Sequence, residues 1–247
     1  MGNRNLLQLL ARNRAAPRRF DVSANADEAT VYLYDVIVSD ELTAEWLGGV
    51  APESFVKALN AITASTLHLR INSPGGDVFA ARAIESAIRA HPARVVAHID
   101  GYAASAASIV AVAADEIEIA SGGFYMIHNA WTVAYGNANE LMDTAAILEK
   151  VDGTLAETYA QRTKQPVATI REWMAAETWF TGAEAVANGF ADRLYEAAPK
   201  ASWDLAVYNH APKAPAPAKA DAPAPTASKS NHGHAERLFR VIEEKAA

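Results

Sequence analysis

Apolar positions recur at two-residue spacing in some stretches of the chain and at three- and four-residue spacing in others, and the alternation of these periods lays out the elements. Ala29 to Ile37 is rich in β-branched and aromatic residues and predicts a strand, after which polar Ser39 to Thr43 opens a connection. Phe55, Leu59 and Ile62 then mark one face of a helix over Pro52–Ile62, with Pro52 placed in its first turn. Thr66 to Asn72 predicts a strand that runs into Ser73-Pro74-Gly75-Gly76, followed by an Ala-rich helix from Val78 to His91. Arg94 to Asp100 is a third strand ending at Gly101, and Ala103 to Ala113 is again helical. Strand and helix in repeated succession imply right-handed βαβ units around a largely parallel sheet, so the fold class is α/β. Two short strands follow, Glu116 to Ala120 and Gly123 to His128. Asn139 to Arg162 then makes a long helix whose only glycine is Gly153, a length suited to projecting or to packing on another subunit. Helix Val167 to Met174 and the run Trp179 to Tyr195 complete the folded part.

The two ends differ from this middle. Arg4, Arg12, Arg14, Arg18 and Arg19 surround a short leucine cluster that Pro17 closes, and residues 1–28 are expected to be a basic arm, mobile or docked on a partner. Ala211 to Ser230 is almost entirely Ala, Pro, Lys, Thr, Ser and Asp, a composition that cannot repay its ordering entropy by burial. The expected plan is an arm at 1–28, one domain at 29–200, a linker at 201–234 and a short helix at 235–247 carrying Leu238, Phe239 and Ile242. A net charge of -7 argues against general nucleic-acid binding. The absence of cysteine excludes disulfides, thiolate metal sites and cysteine nucleophiles. No apolar run reaches the roughly 18 residues a bilayer demands, and a cytoplasmic protein without metal or organic cofactor is expected.

Three features carry candidate chemistry. Ser105 follows a strand at the start of a helix among small neighbours, where a carbonyl could approach and unpaired N–H groups point outward. An ordinary helix N-cap explains it equally. Gly75 and Gly76 can take positive φ and present N–H groups to an anion, although an ordinary strand-to-helix turn uses a glycine pair too; neither phosphate-binding glycine motif is present. His128 ends a strand and falls at a sheet edge, a position a structural histidine also takes. His68 and His98 alternate with apolar residues inside strands and His91 ends a helix, so these read as structural. His210, His232 and His234 fall in or near the linker.

Taken together, Ile71-Asn72-Ser73-Pro74-Gly75-Gly76, Gly101-x-Ala103-Ala104-Ser105, Met126-Ile127-His128 and Glu184-Ala185-Val186-x-x-Gly189-x-x-Asp192 resemble, in order and spacing, the proteolytic subunit of Clp protease. The resemblance runs from about Val31 to Tyr195. It implies a Clp/crotonase-type spiral of ββα units and a serine endopeptidase with Ser105 as nucleophile and His128 as base. Gly76 and Ala106 then supply the oxyanion N–H groups, with Gly75 beside the substrate. The long helix matches the family's handle, which joins stacked rings of a homo-oligomer. Where the family has its aspartate before an aromatic pair this chain has Glu177, and Asp192 is the other acid to weigh. The basic arm, the Pro/Ala-rich end and Asn129-Ala130-Trp131 resemble more closely the Clp-related head maturation proteases of tailed phages and prophages. That implies scaffold and capsid proteins as substrates and a place in the host cytoplasm or the prohead. A housekeeping subunit working with an ATP-driven unfoldase, a catalytically silent assembly paralogue and a crotonase-type acyl-CoA enzyme are the other readings.

Overall fold

The computed structural model describes residues 6–25, 27–197 and 203–212. The helix expected at 235–247, His232, His234 and the linker beyond 212 lie outside the described residues. In chain order the elements are α1 (Leu6–Arg12), β1 (Arg19–Ala24), β2 (Glu28–Tyr34), α2 (Glu41–Leu47), α3 (Pro52–Asn60), β3 (Thr66–Ser73), α4 (Val78–Ala90) and β4 (Arg94–Ala104). There follow α5 (Ala106–Val112), β5 (Glu116–Ala120), β6 (Phe124–Ile127), α6 (Ala138–Thr163), α7 (Val167–Ala175), β7 (Thr178–Thr181), α8 (Gly182–Ala187) and β8 (Arg193–Tyr195).

One mixed sheet runs β1-β2-β3-β4-β5-β8, parallel from β2 onward, with β1 antiparallel at the edge. β4 is the pivot. Its first half pairs with β5 (Val96 to Ile99), and its second half leaves that partner and pairs with β6 (Tyr102 to Ala104), which in turn pairs antiparallel with β7. The alanines from Ala103 onward predict a helix there. The ladder to β6 holds Tyr102-Ala103-Ala104 extended instead, and α5 starts only at Ala106.

Strand alternation sorts the sheet's faces. Val31, Leu33, Leu67, Leu69, Ile71, Val95, Ala97, Ile99, Ile117 and Ile119 are buried in the main core with apolar residues of α3, α4 and α5. Burying each large aliphatic side chain contributes about 1.5–3 kcal/mol before entropy is counted. The intervening positions carry Tyr34, His68, Arg70, His98, Asp100 and Glu118, which bond to one another. Asp100 accepts from Arg70, Tyr34 and Tyr195, and His98 lies between His68 (2.9 Å) and Glu118 (2.8 Å).

Both ends of the described chain depart from the expected plan. The basic arm is part of the fold: Leu9 and Leu10 of α1 are buried, and β1 pairs with β2 from Arg19↔Tyr34 to Ala24↔Ala29. The linker expected from 201 includes a packed segment, since Trp203, Leu205, Val207 and Tyr208 are buried with Leu9, Leu10, Val36, Tyr102 and Met126 in a second apolar cluster. Asn13 ties the two ends together, its amide donating to Asp204 O (2.9 Å) and its Oδ1 accepting from Asp204 N–H (2.6 Å). Among the described residues no helix is long and apolar enough to cross a membrane.

Candidate active site

Ser105 sits where β4 gives way to α5. Its N–H donates to Met126 O (3.0 Å) as part of the β6 ladder, and its carbonyl already accepts from Ser108 N–H in the first helical turn (2.9 Å). Joining strand to helix without an intervening loop forces φ 54° and ψ -126° on this residue, a conformation that costs a non-glycine residue on the order of 1–3 kcal/mol. The side chain does not cap the helix. Its Oγ lies 2.7 Å from His128 Nε2.

His128 follows directly on β6, and its position is fixed from both sides. Met126 and Ile127 are buried in the ladders to β4 and β7, and the next residue's N–H, Asn129, donates to Met174 O on α7 (3.2 Å). The β6–β7 register pairs Ile127 with Thr178; continued by one residue, it sets Glu177 opposite His128. Glu177 is buried, adopts φ 51° just past the end of α7, and accepts from His210 N–H through Oε1 (2.7 Å). Glycine is the usual residue for such a left-handed position after a helix. Three described non-glycine residues have positive φ, and two of them are Ser105 and Glu177.

The glycine turn packs on the serine. A Cβ added to Gly75 would lie 2.5 Å from Ala104 O and 2.7 Å from Ser105 Cβ, so only glycine allows this approach. Gly75 O accepts from Ile37 N–H (2.8 Å); because a trans peptide points its C=O and N–H in opposite directions, the Gly76 N–H points away from Ile37. The same argument applies at Ala106. The Ser105 carbonyl is turned into the helix, so the N–H of Ala106, the first residue of α5, faces outward, where it has no acceptor within the helix.

Gly76, Ser105, Ala106 and His128 line one cavity of about 480 Å³. Val78 and Phe79 at the start of α4 form one wall, and Ile147, Leu148 and Val151 of α6 form another. Below the serine, Ser108 bonds to Tyr159 OH of α6 (2.7 Å) and accepts through its carbonyl from Tyr125 OH (2.7 Å), a buttress between α5, β6 and α6. Burial pushes both tyrosine phenols up, so they stay neutral donors.

Asp192 is placed elsewhere. Its Oδ2 accepts from Ile117 N–H (2.7 Å) and pairs with Arg162 (2.6 Å), which fastens the end of α6 to β5. His68, His91 and His98 also make contacts away from the cavity. What sequence reasoning missed is the segment after 203: Tyr208 stacks edge to face on His128 (5.6 Å between ring centroids), and His210 contributes a backbone N–H. The two-residue spacing of Trp203, Leu205 and Val207 just before the Ala/Pro run was the available signal.

Residues 34–198, well over half of the chain, match the Clp protease family. The chain is 33% identical over 129 residues to an ATP-dependent Clp protease proteolytic subunit 3 from Rhodococcus jostii, a match covering 51% of this chain and 63% of that protein. It is 28% identical over 139 residues to proteolytic subunit 1 from Leifsonia xyli, covering 53% and 68%. The chain thus spans a little under two thirds of the first of these relatives. Among solved structures, a mutant of ClpP1 from Listeria monocytogenes superposes with a TM-score of 0.57 over 68% of this chain and 91% of that one; at 24% identity the likeness concerns the fold. With the family match covering the elements that carry the glycine turn, Ser105 and His128, the chain belongs to the Clp protease family.

Proposed function

We propose that the protein is a serine endopeptidase. The observation that carries this reading is Ser105 Oγ at 2.7 Å from His128 Nε2, on a strained residue facing a cavity. His128 takes the Ser105 proton as Oγ attacks a peptide carbonyl. The Gly76 and Ala106 N–H groups receive the oxyanion, and Glu177 orients the imidazole and balances its charge. Collapse of the tetrahedral species passes the proton from His128 to the leaving amine, and water then releases the acyl group by the reverse sequence. The apolar walls at Val78, Phe79 and Ile147 suit side chains of an extended peptide. A crotonase-type acyl-CoA site needs no serine–histidine pair, so this pair favours the peptidase.

A fluorophosphonate probe tests the reading. It should label Ser105 in the wild-type protein, and S105A should neither be labelled nor cleave peptides, a loss on the order of 10³-fold or more. Labelling elsewhere with S105A still active would refute it.

The same proposal extends to assembly and client. Membership of the family and the exposed Leu141, Met142 and Ile147 on α6 support a homo-oligomer built through that helix. The basic N-terminal residues and the Ala/Pro-rich composition beyond 212 support a phage or prophage head maturation role in the host cytoplasm, with scaffold and capsid proteins as substrates. Co-expression with phage scaffold and capsid proteins should give scaffold cleavage that S105A abolishes; intact scaffold with wild-type enzyme would remove that role.

A further inference from the structure

Residues 203–212 lie against the candidate site and reach its glycine turn, its histidine and its acid. Trp203 Nε1 donates to Asn72 O at the end of β3 (2.9 Å), and Tyr208 OH donates to Pro74 O (2.5 Å), the residue before the glycine pair. The Tyr208 ring stands edge to face on His128 at 5.6 Å and on Trp179 at 5.7 Å. Two residues on, His210 N–H donates to Glu177 Oε1 (2.7 Å) while its Nδ1 bonds to Ala176 O (2.9 Å). The segment is held in turn: Trp203, Leu205, Val207 and Tyr208 are buried, and Asn13 clamps Asp204 from both sides.

Because one segment reaches the oxyanion turn, the base and the acid together, we infer that it is part of the catalytic apparatus, with Tyr208 as its positioning residue. The inference rests on the peptidase reading. Tyr208 touches no reacting atom. It acts through two neighbours, setting the height of the Pro74-Gly75-Gly76 turn through its hydroxyl and the plane of the His128 ring through its face. The hydroxyl bond holds the Pro74–Gly75 peptide, and through it the turn that carries the Gly76 N–H, whose direction matters most once negative charge develops. The ring contact excludes water behind His128, so loss of the ring frees the imidazole to turn away from Ser105.

The two contacts are separable by substitution. Y208F keeps the ring and removes the bond to Pro74 O, whereas Y208L removes both. In the full-length protein, active-site titration with a fluorophosphonate counts competent sites, so kcat per titrated site is independent of any misfolded fraction. Y208F should lower kcat per site about tenfold with KM within twofold, as loss of one bond worth about 1.4 kcal/mol in the transition state does. Y208L should lower it about 100-fold, the cost of an ångström-scale misplacement. Variants that unfold more easily yet turn over at the wild-type rate per site would overturn the inference, because Tyr208 would then only stabilise the fold. A change confined to KM would overturn it as well, assigning the segment to substrate binding. Wild-type protein that takes up no probe would instead defeat the peptidase reading, and this inference with it.

Discussion

At the scale of residues, strain and close approach concentrate where chemistry is proposed. A Cβ on Gly76 would sit 1.9 Å from Ile37 O, on a residue with φ 145°, and the obstacle is backbone that belongs to the turn's own hydrogen bonding. Gly76→Ala should therefore destabilise the protein by roughly 1–3 kcal/mol in denaturant titrations and abolish peptide cleavage by displacing the oxyanion donor. The two acids separate cleanly. Glu177→Gln should lower kcat on the order of 100-fold or more while leaving the fold intact. Asp192→Asn should leave kcat per active site unchanged and lower the denaturation midpoint, because Asp192 holds Ile117 N–H and Arg162. Equal effects of the two substitutions on turnover would remove Glu177 from the acid's role. The adjacency of Ser105 and His128 was legible only as a motif, since nothing in periodicity brings residues 105 and 128 together. The spacing of Trp203, Leu205 and Val207 signals a packed segment, but not what Tyr208 and His210 do in it: one meets His128 through ring contact, the other Glu177 through a main-chain N–H that every residue but proline carries.

At the scale of elements, the parts with a clear period were the readable ones. Runs of β-branched and apolar residues located β2, β3, β5 and the first half of β4, three-and-four spacing located α3 and α6, and an alanine-rich run located α4, each to within a few residues. The second half of β4 was hidden because Tyr102-Ala103-Ala104 has the composition of a helix and is extended only through its pairing with β6. α1 and β1 were hidden for a related reason, since a short leucine cluster among arginines has no period until Trp203 and β2 supply its partners. α6 begins with a reciprocal cap in which Asn137 Oδ1 accepts from Asn139 and Glu140 N–H, while Glu140 Oε2 accepts from Asn137 N–H. Asn137→Ala should cost about 1 kcal/mol and increase amide exchange in the first turn alone. Ile147 is 56% exposed on this helix. If α6 joins subunits, Ile147→Glu should shift the native mass toward smaller species, and an unchanged mass would exclude this face from the assembly.

At the scale of the molecule, the sheet divides the protein into an apolar side covered by helices and a side where charged and aromatic groups satisfy one another. Burial lowers the His98 pKa below its ordinary value of 6.5, aided by Arg70 and His68 and opposed by Glu118. His98 Nδ1 meets Glu118 and its Nε2 meets His68 Nδ1, both within the polar side of the sheet. The unfolded chain then binds a proton more readily than the folded one. This contribution to stability is complete above about pH 6.5 and is lost as pH falls through the lowered folded value. Urea midpoints between pH 8 and 5 should fall more steeply for wild-type protein than for His98→Gln; parallel slopes would show that His98 is not the group responsible.

The placement of residues 203–212 also has a consequence in time. Protein chains leave the ribosome N-terminus first, so Ser105, His128 and Glu177 emerge well before Tyr208 and His210. With the segment acting as inferred, the nascent chain carries its nucleophile and base but stays a poor enzyme until Trp203 to His210 have cleared the tunnel and closed on Asn72, Pro74 and Glu177. A site completed by a segment made this long after its nucleophile is guarded, for that interval of synthesis, against cutting unfinished neighbouring chains.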